Sequence, residues 1–208
     1  MDQLSLFPVT FAILAITVGV SLLAFNNADL KNKMVFYPYG MGSSSQYYRF
    51  FSHGLIHADY IHLFFNMFTF YSFGRFAEFK LFTTTEFAVL YITSLLASSL
   101  FDFFKNRQNP GYAALGASGA VSAVLFSTII LDPWAKNILL FGISFLALPN
   151  ILFAVLYLVY CAYMAKRGGD NIGHSAHLWG SVYGFIFTAV LKPELFKDFI
   201  DKLLHPSF

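Results

Sequence analysis

Apolar residues in this chain come in blocks of membrane length rather than as single helix faces. Six blocks stand out, at about 7–25, 57–77, 85–104, 112–131, 148–165 and 173–191. A helix that crosses hydrocarbon needs about 20 mainly apolar residues at about 1.5 Å of rise each. Six spanning helices are therefore predicted. The uncharged stretch 137–165 is longer than one span requires, and Gly142 and Leu148-Pro149-Asn150 break it. Proline disfavours helix at the residue before it. Residues 138–147 thus read as a short membrane-dipping or irregular segment, with the fifth helix beginning after Pro149.

Connections between blocks are short except 26–51, which mixes aromatic and polar residues: Tyr37-Pro38-Tyr39-Gly40, then Ser43-Ser44-Ser45-Gln46-Tyr47-Tyr48-Arg49. Tyrosines at headgroup level suit an interfacial excursion. After Leu191, charged residues alternate with Leu195, Phe196, Phe199 and Ile200, the pattern of a short amphipathic surface helix. No repeat or second domain interrupts residues 1–208.

Composition agrees with a membrane protein. The 208 residues are 57% hydrophobic and 12% charged, against about 25% charged in soluble domains, and mean hydropathy is +0.61. A formal charge of +2 gives no footing for nucleic acid. Cys161 is the one cysteine and lies in an apolar run, so no intramolecular disulfide forms. Met1-Asp2-Gln3 lacks the basic region of a secretory signal, and the first block reads as a retained span, the alternative being a removed signal peptide. Basic residues divide six against seven between the two sides, so charge does not set orientation.

Polar groups inside these blocks are the candidates for chemistry, because hydrocarbon is a poor place for idle ones. Gly116-Ala117-Ser118-Gly119 places Ser118 near the start of the fourth block. Free backbone N–H groups and the positive dipole end gather at a helix N-terminus and would stabilise an oxyanion. Small residues there serve equally well as packing devices. His177 stands near the start of the sixth block, followed by Gly180 and Gly184 one turn apart. If that small-residue face docks on the one beside Ser118, the imidazole comes within hydrogen-bond reach of the hydroxyl as a general base. A buried structural histidine is the alternative.

The second block adds His62 and Asn66, four apart and so on one helix face, both able to donate hydrogen bonds to an oxyanion. His53 and His57, one turn nearer the surface, read as structural groups satisfying backbone in a packed loop. The histidines also invite a metal reading, through His174/His177 and His53/His57. No glutamate lies in these runs, the H-E-x-x-H pattern is absent, and carboxylate help is limited to Asp59 and Asp170. Imidazoles without acidic or thiolate partners are incomplete as a metal site.

Taken together, these residues resemble the rhomboid family of intramembrane serine proteases. Gly116-Ala117-Ser118-Gly119 is similar to the family's GxSG motif, Ala176-His177-Leu178-Trp179-Gly180 with Gly184 to its AHxxG…G pattern, and His62 with Asn66 to its HxxxN motif. Tyr48-Arg49 stands where many members have Trp-Arg. The resemblance implies an all-α membrane protein, a single six-transmembrane-helix rhomboid bundle with a water-filled cavity. It implies Ser118 as nucleophile and His177 as base, with His62, Asn66 and the Ser118 backbone N–H stabilising the oxyanion. Substrates would be other membrane proteins, cut within a transmembrane segment, with no metal or organic cofactor. A bacterial inner membrane is the implied location; oligomeric state is left open. Two rivals remain: a non-catalytic rhomboid-like protein that binds membrane clients, and a metal- or haem-binding membrane protein.

Overall fold

Pro8 opens the first helix, where its missing N–H costs nothing and its fixed φ suits helix entry. A computed structural model of the chain describes residues 6–136, 148–170 and 172–206. The helices are α1 (Pro8–Phe25), α2 (Ala28–Met34), α3 (Arg49–Ser52), α4 (Tyr60–Lys80), α5 (Thr84–Asn106), α6 (Ser118–Ile129), α7 (Asn150–Arg167), α8 (His174–Leu191) and α9 (Pro193–Leu204). Among the described residues the architecture is helical, with no strand; Phe36 and Ala114 form an isolated bridge. The expected irregular segment at 138–147 lies outside the described residues.

Six helices, α1 and α4 to α8, fall on the six apolar blocks. Two of them, α1 and α5, are long and apolar enough to qualify as spans by length and composition alone. The others carry more polar residues, or are short. The bundle is built accordingly. In α1 the buried residues are Thr10, Thr17, Ser21 and Ala24, while Leu23 is 66% exposed. In α4 and α8 the outward residues include Ile61 at 70% and Val190 at 76%. In α1 and α8 the large apolar side chains face out and mainly small or polar ones are buried, which fits a lipid surround.

Several of the inward polar groups are paired between helices. The Glu78 carboxylate of α4 accepts from the amides of Val9 (2.9 Å) and Thr10 (2.8 Å) and from the Thr10 hydroxyl (2.7 Å). These are orphan donors of the first turn of α1, so a carboxylate from another helix caps it. Thr83 and Glu86 form a reciprocal capping box at the start of α5.

Helix α6 sits at the centre, packed by α4, α5, α7 and α8, and ten of its twelve residues are buried. It begins six residues later than the 112–131 block predicts. Phe36 and Ala114 exchange both backbone hydrogen bonds at 2.9 Å, and the Gly116 amide donates to the His53 carbonyl at 2.9 Å. Those ties keep the chain out of helix through Gly116, so Ser118 becomes the first helical residue rather than one a few residues inside.

The 26–51 excursion folds as α2, two 3₁₀ turns and α3. Arg49 holds it: Nη1 donates to the carbonyls of Asn32 (2.9 Å) and Val35 (2.7 Å) at the end of α2. Tyr48 donates its hydroxyl to the Lys33 carbonyl at 2.8 Å, so the Tyr-Arg pair performs a joint anchoring task. The expected amphipathic helix is α9. Phe199 is buried against Phe185, and Trp134 donates to the Lys202 carbonyl at 2.8 Å, so α9 docks on the bundle through its apolar face.

Candidate active site

Three helices and one loop converge on Ser118. The Ser118, Gly119 and Ala120 amides precede the first intrahelical bond of α6, which runs from Val121 N–H to the Ala117 carbonyl. Helix α8 reaches this turn by backbone contact. A Cβ on Gly180 would overlap the Gly119 carbonyl oxygen, and one on Gly184 would overlap the Ala123 carbonyl. Gly119 itself is closed in by Ser98 of α5 and the Ala176 carbonyl of α8. The two small-residue faces therefore dock as the spacing predicts, which carries His177 to the Ser118 side of the interface.

On the opposite side, Asp59 caps α4 by accepting from the His62 amide at 2.8 Å. The Asn66 side-chain amide donates to the His62 carbonyl at 2.9 Å, which fixes its plane and leaves its second N–H available. The His62 ring lies directly over Gly116: a Cβ there would stand 2.8 Å from Cε1 and 3.0 Å from Nε2. Gly116 also has φ +114°, a conformation that side chains disfavour.

His53 and His57 support the loop, in the structural role expected of them. His57 Nδ1 lies 2.9 Å from the Ser21 hydroxyl, which itself donates to the Leu55 carbonyl at 2.9 Å. Nδ1 must then carry the proton, and Nε2 accepts the Ala117 amide at 3.5 Å, a long bond. Burial pushes the His53 imidazole down to about 4, so it is neutral at pH 7.

A cavity of about 740 Å³ opens between these groups, and Ser118, His177, His62 and Asn66 all line it. Among the described residues no hydrogen bond joins the Ser118 hydroxyl to the His177 ring, although both line the cavity. Catalytic hydrogen bonds often tighten only when substrate is bound. The wall also holds two residues the sequence reading missed. Tyr157 of α7 stacks on the His177 ring (centroids 6.4 Å apart, planes 13° apart), and its hydroxyl lies 3.1 Å from that of Ser122. Ser122 was legible as one turn beyond Ser118; Tyr157 carries no local signal. Behind that wall, buried Cys161 of α7 has its thiol beside His174 and His177.

A helical membrane bundle whose cavity is lined by Ser118, His177, His62 and Asn66 and framed by backbone-to-backbone helix contacts is the class that fold and site define. The Rhomboid domain model matches residues 44–194, and the chain belongs to the rhomboid family. It is similar to "Rhomboid protease GlpG" of Haemophilus influenzae, 30% identical over 155 residues that cover 74% of each chain. This membership makes it an integral membrane protein and supports an intramembrane protease.

Proposed function

We propose that the protein is an intramembrane serine endopeptidase that cuts transmembrane segments of other membrane proteins through a Ser118–His177 dyad. The observation that carries this reading is the convergence of Ser118, His177, His62 and Asn66, from three helices, on one cavity. In the proposed reaction His177 takes the Ser118 proton as Oγ attacks the scissile carbonyl. The oxyanion is received by the Ser118 amide, Asn66 and His62. His177 then protonates the leaving amine, and water, admitted through the cavity, releases the acyl-enzyme by the same route in reverse.

Tyr157, stacked flat on the imidazole, limits its rotation and keeps it aimed at the cavity. A helical substrate shields its own peptide bonds, so cleavage needs a locally unwound segment. All six helices α1 and α4 to α8 cross the membrane in this account, the shorter ones closing around polar groups at one face. A bacterial inner membrane is the proposed location. Co-expression with a single-span reporter tests the reading: cleavage by the intact chain and none by Ser118→Ala is expected, whereas equal cleavage by both overturns it.

A further inference from the structure

We propose that Cys161, His174 and His177 form a binding site for a borderline-soft divalent cation, zinc above all, and that occupancy switches the protease off. The Cys161 thiol and one ring nitrogen of each histidine all lie within 4.8 Å of one another. Cys161 and His174 are buried, and His174 Nδ1 has no hydrogen-bond partner. The other nitrogen of that ring, Nε2, is 3.0 Å from the Asp170 carboxylate. A buried histidine bonded to a carboxylate through one nitrogen, its other nitrogen unpartnered, and a thiol and second imidazole beside it, is the arrangement that orients a zinc ligand.

Geometry and chemistry agree. Zinc takes thiolate sulfur at about 2.3 Å and imidazole nitrogen at about 2.0–2.1 Å, which puts tetrahedral ligand atoms roughly 3.5 Å apart. Drawing the three groups together therefore takes about an ångström of side-chain movement. One position stays open for water, and thiolate with imidazole selects zinc over magnesium or calcium. Access is from the aqueous side: His174 and Asp170 line a second cavity of about 600 Å³ that also contains Ser118, and Asp170 is exposed at its rim.

On binding, the Cys161 thiol gives its proton to solvent. The lone pair that His177 needs for the Ser118 proton is then committed to the metal. This inhibitory step rests on the dyad reading; the binding step does not.

Two measurements on the detergent-solubilised full chain separate them. In the first, cobalt(II) is titrated as a spectroscopic probe. One equivalent is expected to give a thiolate-to-cobalt charge-transfer band, displaced by zinc and lost in Cys161→Ser. Asp170→Asn is expected to weaken it about 10–100-fold, as loss of an orienting carboxylate does. Because Cys161 is the one cysteine, its alkylation rate in the unmutated protein reports the same event without any variant, and stoichiometric zinc should slow it at least about tenfold. No charge-transfer band, or alkylation indifferent to zinc, overturns the site.

In the second, zinc is expected to inhibit reporter cleavage reversibly with a chelator. Cys161→Ser should need at least about tenfold more zinc, each protein compared with its own metal-free rate. Equal sensitivity, or binding without inhibition, overturns the switch. A chain that binds cobalt but never cleaves any reporter places the failure on the dyad reading instead.

Discussion

Gly180 of α8 lies against the backbone of Gly119 of α6 with no room for a side chain between them. That contact sets the distance between the helix that begins with Ser118 and the helix that carries His177. Gly180→Ala is therefore expected to force the helices apart, at a cost of about 1–3 kcal/mol, and to lower cleavage more than the stability loss alone accounts for. Gly19→Ala is the control: nothing lies within 4 Å of that position, and alanine in a helix is neutral or stabilising by up to about 1 kcal/mol. Thermal unfolding in detergent with reporter cleavage reads both. A Gly180→Ala protein as stable and active as its parent would contradict the contact.

Asn66 has one N–H tied to the His62 carbonyl and the other available to the cavity. Loss of one oxyanion donor typically costs about 10²–10³ in turnover. Asn66→Ala is expected to lower kcat within that range while KM changes little, because other donors remain. Unchanged kcat would remove Asn66 from the oxyanion site.

Glu78 caps α1 from across the bundle with three hydrogen bonds. Replacing it by alanine strands two amides and a hydroxyl, and about 2–3 kcal/mol of stability should go with them. The melting temperature is expected to fall while labelling of Ser118 at low temperature survives. An unchanged melting temperature would show that water serves those donors equally well.

Acid should destabilise the fold through His53. Below pH 6.5 the unfolded chain takes up a proton that the folded protein refuses until about pH 4. Stability therefore falls as pH drops through that window, by up to about 1.4 kcal/mol per unit for this group. Unfolding measured between pH 7 and pH 4.5 should show a shallower decline in His53→Gln. An identical decline would assign the effect to other groups.

The helices were legible because membrane-length apolar blocks are a coarse signal that local detail hardly disturbs; α1, α5, α7 and α8 start and stop within about three residues of the expected blocks. The start of α6 was not, because long-range backbone bonds from Phe36 and His53 decide it. Ser118, His177, His62 and Asn66 stood out as polar residues where hydrocarbon should exclude them, and the glycines named the docking surface. Glu78, Tyr157 and Cys161 went unread for a common reason: each acts on a partner in a different helix, and no spacing within one block reveals it.

The central claim is an activated hydroxyl at Ser118, and covalent labelling with a fluorophosphonate tests it most directly. Mass spectrometry of the labelled, folded protein is expected to find one adduct on Ser118, absent in Ser118→Ala and strongly reduced in His177→Ala. An adduct confined to another residue, or labelling of Ser118 that His177→Ala leaves untouched, would contradict the dyad.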